Sequence, residues 1–283
     1  MTVLLSLMAA ILSVGIFYLT DLYTVWYWYF LPFLMFIPLY WISFLALVLV
    51  AAFIGLFVSK KKPVEKPNAF FYTVTVAAIR QVMRFLRIKV RVTGEEKLPD
   101  STYVAVYNHR SMIDPFVLMT KMPARRIVMI SKPENEKIPV VGKYMHMSGY
   151  LTIDRKSPMK ARSTVEKSAA WIREGIASVA ISPEGTRSKD GTLLPFRAAP
   201  FSTARKAASP IAVVTMRNTE KVMKRFPFRS TVIELHIVGT VMPEQFDSMN
   251  SFELSAYVRD MMLKDLDQVD AHPPKKNTDK AEE

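Results

Sequence analysis

The sequence predicts an α/β fold, in which a mixed sheet flanked by helices follows two N-terminal membrane helices. Three observations support this prediction. Half of the 283 residues are hydrophobic, so the chain can bury the core of one sizeable domain. The first 58 residues are almost uncharged, with Asp21 as their only formal charge. After them, short runs typical of strands alternate with stretches of helical periodicity, which is the order found in α/β domains.

The N-terminal segment, residues 1–62, is predicted to anchor the protein in a membrane. Its two apolar runs fit helices near residues 2–20 and 36–58, because a membrane span needs about 20 apolar residues. Pro32 and Pro38 interrupt the second run, and the WYWY sequence at 26–29 is typical of a membrane interface. The basic run at 60–62 predicts that the following domain lies on the cytoplasmic side.

Two alternatives stay open for this segment. A cleaved signal peptide is disfavoured, because the first residues carry no basic n-region and no small-residue cleavage site stands out before the second run. Shallow insertion without spanning is the stronger alternative, because the first run is barely long enough to cross a bilayer.

The chain is basic, with 38 Lys and Arg residues against 25 Asp and Glu residues and a net charge of +13. Since residues 1–58 hold so little charge, the excess lies in the second part of the chain. A basic surface can bind nucleic acid, an anionic membrane or a phosphorylated small molecule, and no nucleic-acid-binding motif accompanies this one. The absence of cysteine excludes disulfides and thiolate metal sites, and the four histidines have no metal-site spacing.

Residues 63–270 are predicted to form the α/β domain, and the polar tail at 271–283 is predicted to be disordered. The first element of the domain is a helix at 70–88 with a basic fringe. Its apolar positions at helical spacing are Phe71, Val74, Ala78, Val82 and Phe85. Such a helix either packs on the core or lies on lipid headgroups.

The rest of the domain alternates strands and helices. Strands are predicted at residues 88–92, 103–107, 126–131, 178–182, 211–216 and 231–239. Helices are predicted at 158–174, 198–208 and 251–269. Ser157 and Pro158 predict the start of the first of these helices, and Gly175 predicts its end.

The stretch VAVYNHRSMIDPF, residues 104–116, ends a predicted strand with a histidine and supplies a carboxylate five residues later. Residues at this spacing do not share a helix face, so His109 and Asp114 need a turn between them, with a helix starting at Pro115. A His/Asp pair can take a proton from a hydroxyl group. Asp114 could instead be only a helix cap. Ser111 could be a nucleophile, but the chain has no G-x-S-x-G elbow.

A second strand runs into the polar turn SPEGTRS, residues 182–188. Gly185 lets the backbone approach a ligand closely, Thr186 can donate a hydrogen bond, and Arg187 can bind a phosphate in forked geometry. An ordinary surface turn is the alternative. Two further cations, Lys132 and Arg155, also follow predicted strand ends, where single cations are mostly solvated.

Together these stretches resemble the glycerolipid acyltransferases, especially the bacterial 1-acyl-sn-glycerol-3-phosphate (lysophosphatidic acid) acyltransferases. The resemblance covers about residues 70–245 and rests on four blocks in order, NHRSMID at 108–114, GYLTIDR at 149–155, SPEGTRS at 182–188 and SPIAVV at 209–214. It implies a glycerol-3-phosphate acyltransferase-like fold. Three positions depart from the usual family pattern and affect which acceptor and acyl chain are expected to fit. Ser182 stands where phenylalanine is usual, Ala199 where glycine is common, and Val214 near a usual proline.

The resemblance also implies roles for single residues. His109 is implied as the general base and Asp114 as the group that orients it. The residues implied to bind the acceptor and its phosphate are Glu184, Gly185, Thr186, Arg187, Arg155 and Lys132. Asn108 and Ser111 are implied as supporting polar residues.

The expected function is that of a membrane-bound O-acyltransferase in phospholipid synthesis. The acyl chain moves from acyl-CoA or acyl-carrier protein to the free hydroxyl of lysophosphatidic acid, giving phosphatidic acid. The expected partners are the lipid acceptor, the acyl donor and an anionic membrane surface, with no cofactor, metal or nucleic acid. The expected location is the bacterial inner membrane. Alternative functions are acylation of another lysophospholipid or glycerol 3-phosphate, serine-dependent lipid hydrolysis, and non-catalytic tethering to anionic lipid.

Overall fold

The structure, a computed structural model, describes residues 2–20, 24, 29–60, 63–122, 126–154 and 157–267. The chain divides into two compact units. The first contains the N-terminal residues up to Pro63 together with Pro139–Tyr144, and the second contains the rest. The predicted tail at 271–283 and most of the predicted aromatic interface at 26–29 lie outside the described residues.

The N-terminal unit contains two helices, α1 (Thr2–Leu19) and α2 (Leu31–Leu56). They pack against each other through a buried stripe of α1 at four-residue spacing, which consists of Leu5, Ala9, Ser13 and Phe17. Such spacing keeps side chains on one helix face. In the same unit, the Tyr144 hydroxyl donates to the Ala51 carbonyl at 2.8 Å.

The structure corrects the predicted start of the second helix, which begins at Leu31 rather than near residue 36. Pro32 lies in the first turn, where a missing N–H group costs nothing, and Pro38 is accommodated inside the helix. Among the described residues, α2 is the one helix whose length and composition suffice to cross a membrane, and the apolar part of α1, Leu4–Leu19, is shorter. Two N-terminal helices are therefore confirmed, but α1 lacks the length of a full span. Insertion in a bilayer stays a prediction.

The second unit is built on a seven-stranded mixed sheet, which confirms the predicted α/β class. The strands are β1 (Ile88–Thr93), β2 (Val104–Tyr107), β3 (Ile127–Ser131), β4 (Leu151–Thr152), β5 (Ser178–Ile181), β6 (Ile211–Arg217) and β7 (Thr231–Val241). Their order across the sheet is β1-β7-β6-β2-β5-β3-β4. All neighbours are parallel except β6 and β7, which are antiparallel.

Helices cover both faces of this sheet. They are α3 (Ala69–Phe85), α4 (Asp114–Lys121), α6 (Pro158–Arg173), α7 (Ser202–Ala207), α8 (Val222–Arg225), α9 (Pro243–Phe246) and α10 (Ser251–Leu266). Helix α5 (Val141–Met147) begins in the first unit and ends in the second. One core layer joins the sheet to α6, α7 and α10, and the other joins it to α3 and α4. The central strand β2 is buried throughout and sends alternate side chains to the two layers, as expected for a parallel strand covered on both faces.

Several predicted helix features differ from those observed. Helix α5, which contains His146, was not predicted from the sequence. The last helix ends at Leu266 rather than at residue 269, because Asp267 adopts the left-handed conformation that closes a helix. The predicted boundaries of α6 hold within a residue, since Ser157 caps its start and Gly175 has a φ of +66°.

The buried face of α3 also differs from the predicted one. Of the predicted positions only Phe71 is fully buried, and the core side chains beside it are Val76, Ile79 and Met83. Val82 and Phe85 are instead 40% and 54% exposed. The helix has apolar residues on two sides, so its periodicity alone could not identify the side that meets the sheet.

Candidate active site

The candidate site lies at the edge of the sheet where β2, β5 and β6 end. These strands are parallel, with Val106 opposite Ile181 and Tyr107 opposite Val214, so their carboxyl ends meet at one edge. The two predicted polar stretches, 108–114 and 182–188, leave the sheet there from β2 and β5. The strand order therefore brings together segments that are far apart in the sequence.

His109 and Asp114 form a direct contact, with 2.8 Å between Nδ1 of the imidazole and Oδ2 of the carboxylate. The same Oδ2 accepts hydrogen bonds from the backbone N–H groups of Arg110 at 2.7 Å and Ser111 at 2.8 Å. Asp114 is completely buried as the first residue of α4. Its carboxylate thus binds the turn before it, and it makes no cap bond to the helix that it begins.

The contact through Nδ1 determines what the imidazole can do. A carboxylate oxygen only accepts, so in the neutral imidazole Nδ1 carries the proton and Nε2 keeps its lone pair. The His109 side chain is 22% exposed, and its ring lies edge-on to Tyr107, with 6.1 Å between ring centroids. A substrate hydroxyl can therefore approach an imidazole whose orientation is set by its neighbours.

Glu184 lies beneath the His109 loop and is 4% exposed. Its Oε1 accepts from the backbone N–H of His109 at 2.6 Å, and its Oε2 accepts from the backbone N–H of Leu194 at 3.0 Å. Burial raises the pKa of this carboxyl to about 7, although the two hydrogen bonds oppose the rise. The side chain thus joins two loops through backbone groups, and the acceptor-binding role that the resemblance implies stays a prediction.

Further contacts fix the backbone around His109. The Asn108 side chain donates to the Met216 carbonyl at 2.9 Å and accepts from the Met216 N–H at 2.7 Å. The backbone N–H of Ser188 donates to the His109 carbonyl at 2.9 Å. These bonds attach the loop after β2 to β6 on one side and to the SPEGTRS turn on the other. Such support limits the positions that the imidazole can adopt.

The predicted phosphate-binding residues are less closely joined than the His/Asp pair. Gly185 is buried and adopts a φ of +72°, which favours glycine. Thr186 and Arg187 are exposed beyond it, and Lys132 is exposed directly after β3. Arg155 lies outside the described residues. The structure thus brings the 182–188 turn to the His/Asp pair. Among the described residues, no contact joins Lys132 to this turn or to the pair.

The Ser111 hydroxyl lies within the turn between the pair. Its Oγ accepts from the Ile113 N–H at 3.2 Å, and no contact in the described part of the chain links it to the imidazole. Likewise, no group of three or more His, Asp or Glu side chains in that part is placed to hold a metal ion.

Arg110 is a contact residue that sequence reasoning did not single out. Its guanidinium donates to the Gly191 carbonyl at 2.9 Å and lies 4.0 Å from the Glu220 carboxylate. The loop that receives it is shaped by Asp190, whose pKa is lowered to about 2 by hydrogen bonds from Thr192 and Ser188. The position of Arg110 inside NHRSMID was the available signal. Leu194 and Met216 act through backbone groups, which leave no mark in the sequence.

A second His/Asp contact lies outside this site. His236 on β7 is 2.6 Å from Asp265 through Nδ1 and Oδ1, and the Thr215 hydroxyl donates to the other carboxylate oxygen at 2.5 Å. The contact ties α10 to β6 and β7.

Comparison with known proteins places this geometry in context. Residues 89–217, which include the His/Asp pair and the 182–188 turn, match a family model described as Acyltransferase. A 1-acyl-sn-glycerol-3-phosphate acyltransferase of Saccharomyces cerevisiae is 28% identical over 205 residues, 71% of this chain and 67% of the yeast protein. One from Borreliella burgdorferi is 27% identical over 68% of this chain and 78% of its own length. A chloroplastic one from Brassica napus is 36% identical, and the match covers 48% of this chain and 39% of the plant protein.

A solved structure has a similar fold. The crystal structure of a 1-acyl-sn-glycerophosphate acyltransferase from Thermotoga maritima aligns with a TM-score of 0.58 and 24% identity, over 72% of this chain and 81% of the other. The relatives and this fold confirm the resemblance that the four sequence blocks predicted.

Proposed function

We propose that the protein acylates the free hydroxyl of lysophosphatidic acid to give phosphatidic acid, and the match of residues 89–217 to the Acyltransferase family model supports this. The contact between His109 Nδ1 and Asp114 Oδ2 at 2.8 Å carries the proposal, because acylation of a hydroxyl needs a positioned base. The names of the relatives support the choice of acceptor.

In the proposed reaction, Nε2 of His109 takes the proton of the acceptor hydroxyl while the oxygen attacks the carbonyl carbon of an acyl thioester. Asp114 holds the imidazole by Nδ1 and stabilises the imidazolium that forms. The tetrahedral intermediate then breaks its C–S bond. The departing thiolate takes the proton back from His109, so the base is regenerated without a covalent acyl-enzyme.

The acceptor phosphate is assigned to the SPEGTRS turn. Gly185 brings backbone N–H groups close to the ligand, and the exposed Arg187 supplies a forked cation. Lys132 and Arg155 are proposed as further phosphate contacts. Hydrogen bonds to charged groups contribute about 1.5 to 3 kcal/mol each, so these cations could supply most of the affinity for a phosphorylated acceptor.

The acyl donor in this proposal is acyl-CoA or acyl-carrier protein. The acceptor lipid resides in a membrane, and the long apolar helix α2 is proposed to hold the enzyme there. The catalytic unit is then on the cytoplasmic side, as the basic run at 60–62 predicts.

The test is acyl transfer by the purified, detergent-solubilised full chain. An acyl-CoA is offered with lysophosphatidic acid, another lysophospholipid, glycerol 3-phosphate and a phosphate-free monoacylglycerol. Removing the base in His109→Ala is expected to lower transfer to every acceptor by about a hundredfold or more. Arg187→Ala is expected to raise the KM for phosphorylated acceptors selectively. Lys189→Ala, an exposed cation two residues away, is the matched control and should have little effect.

Two results would contradict the proposal. Normal transfer by His109→Ala removes the proposed base. If the phosphate-free acceptor is used equally well and Arg187→Ala has no effect, the proposed general-base reaction stands but lysophosphatidic acid is not the preferred acceptor. The hydrolase alternative predicts instead that Ser111→Ala abolishes activity and that an acyl-enzyme can be trapped.

A further inference from the structure

The second unit exposes a group of apolar side chains that no part of the proposed reaction uses. Val82 and Phe85 at the end of α3 are 40% and 54% exposed, and Met223 and Phe228 in the connection from β6 to β7 are 64% and 86% exposed. Phe226 joins the two segments, because its ring lies 5.2 Å from that of Phe85. Residues 82–87 and 221–229 are called the aromatic-basic surface below.

Hydrogen bonds hold this surface in shape. The Arg87 guanidinium donates to the carbonyls of Pro227 at 3.0 Å and Phe228 at 3.2 Å. The backbone carbonyl of Arg87 also accepts from the Thr231 N–H at 3.2 Å. The end of α3 thus presents the Phe226 to Phe228 turn outward, with a large apolar side chain at its tip.

The charge around these side chains has one sign. Residues 69–94 and 221–233 contain no Asp or Glu. Their cations are all exposed: Arg80, Arg84, Arg87, Lys89, Arg91, Lys221, Lys224, Arg225 and Arg229. An aromatic tip surrounded by cations is suited to a surface that offers both apolar material and negative charge.

The aromatic-basic surface lies at the same edge of the sheet as His109. β6 runs parallel to β2 and ends at Arg217, and β7 returns antiparallel from Thr231, which pairs with Ile88 at the start of β1. Both segments of the surface therefore adjoin the edge at which β2 delivers the His/Asp pair. A partner bound there would approach the side of the protein that carries the proposed chemistry.

We infer that the aromatic-basic surface is a membrane-binding surface of the catalytic unit, in which Phe228 and Met223 enter the interface of an anionic bilayer and the surrounding cations contact lipid phosphates. Aromatic rings favour that interface, and each Lys or Arg near anionic lipid adds to binding. The inference rests on the proposed function, because that function places the acceptor in a bilayer. It assigns to the second unit a contact separate from the N-terminal helices.

The test uses the full chain, which contains no cysteine, so a single introduced thiol can be labelled uniquely. Phe228→Cys carries an environment-sensitive fluorophore, and the protein is reconstituted into phosphatidylcholine vesicles with or without phosphatidylglycerol. A quencher attached to the lipid acyl chains reports insertion of the label. The matched control is Phe252→Cys, because Phe252 is 79% exposed but precedes Glu253 and follows a segment that contains Glu244 and Asp247.

In anionic vesicles, the label at position 228 is expected to be quenched and shifted to the blue, while the label at 252 stays in water. Arg225→Gln and Arg229→Gln, introduced together with Phe228→Cys, are expected to weaken insertion about fivefold for each charge removed. High salt should also weaken insertion, because it screens the attraction between the cations and the anionic lipid.

Equal quenching at 228 and 252 would overturn the inference. The inference would also be overturned if the fluorescence of the label at 228 did not change with lipid but changed in detergent when an acidic acyl-carrier protein was added or the protein concentration was raised. Either result would identify a protein partner. Acyl transfer measured in the same vesicles separates this inference from the proposed function. Normal acyl transfer without quenching at position 228 would contradict only the membrane-binding role of the aromatic-basic surface. Strong quenching without acyl transfer would contradict only the proposed reaction.

Discussion

Glu184 is placed to control the position of the proposed base. Its two carboxylate oxygens hold the backbone N–H groups of His109 and Leu194. In Glu184→Gln one oxygen is replaced by an NH₂ group that faces an N–H donor, so one bond is lost and the His109 loop shifts. We expect kcat to fall about tenfold or more with the KM for the acceptor nearly unchanged, measured in the acyl-transfer assay.

The matched control for this change is Glu166→Gln, which alters an exposed glutamate on α6 that contacts Arg162 and Lys206. It should leave both constants unchanged. A higher KM for phosphorylated acceptors in Glu184→Gln, with normal kcat, would contradict the positioning role. That result would support the acceptor-binding role implied by the family resemblance.

Asn108 affects stability through the backbone of β6. Its buried side chain both donates to and accepts from Met216. Asn108→Asp removes the donor, leaves the Met216 carbonyl facing an oxygen, and buries a charge. We expect the free energy of unfolding to fall by about 2 to 4 kcal/mol, measured by denaturant titration of the solubilised protein.

Asn135→Asp is the corresponding change at an exposed asparagine, whose side chain donates to the Ser131 hydroxyl. It should alter the free energy of unfolding by no more than about 0.5 kcal/mol. Similar losses in both variants would mean that the link between Asn108 and Met216 contributes little to the stability of the sheet.

At the scale of elements, two glycines with positive φ allow the cost of backbone strain alone to be compared with the cost of strain combined with a steric clash. Gly94 directly follows β1 with a φ of +79°, and an added Cβ would lie 2.3 Å from the Ile237 carbonyl oxygen on β7. Gly175 follows α6 with a φ of +66° and open space around it. We expect Gly175→Ala to cost about 1 to 2 kcal/mol of stability and Gly94→Ala about 3 kcal/mol or more.

The measurement is the free energy of unfolding of both variants under the same conditions. Equal losses would show that the connection after β1 can move away from β7 at little cost. A smaller loss for Gly94→Ala than for Gly175→Ala would contradict the assigned packing of these strands.

The elements that the sequence predicted well are those in which local signals agree. The predicted limits of α6 follow from Ser157 and Gly175, and the predicted strand at 103–107 follows from a short apolar run that is buried on both faces. The buried face of α3 could not be predicted, because it depends on which of two apolar sides meets the sheet. Likewise, the early start of α2 was missed because Pro32 was read as an interruption, although proline suits the first turn.

At the scale of the molecule, part of the candidate site follows from the sequence and part requires the fold. The contact between His109 and Asp114 was predictable, because a strand end followed by a turn can fold the carboxylate back. The roles of Leu194 and Met216 were not, since they depend on strand order and on backbone groups common to every residue. Glu184 shows both limits, because the family resemblance implied that it belongs to the site but its backbone partners were not predicted.

The raised pKa of Glu184 links the proposed active site to the stability of the whole molecule. Burial raises this pKa from 4.5 to about 7 in the folded state. Between these values the folded protein holds a proton that the unfolded chain has released. Stability from this group is therefore fully present below about pH 4.5 and is lost as the pH rises toward about 7. The lowered pKa of Asp190 affects the pH dependence of stability only below about pH 3.8, outside this window.

We expect the thermal unfolding midpoint of the native sequence to fall between about pH 5 and about pH 8 by more than that of Glu184→Gln, which cannot release a proton. The measurement is a set of thermal scans of both proteins in one detergent, with Glu166→Gln as the control that keeps the native dependence. Because Glu166→Gln retains Glu184 and its neighbours, a weaker pH dependence in Glu184→Gln alone assigns the difference to the Glu184 site. Parallel curves for the native sequence and Glu184→Gln would mean that the carboxyl is already ionised at low pH, held so by its two backbone N–H donors in spite of burial.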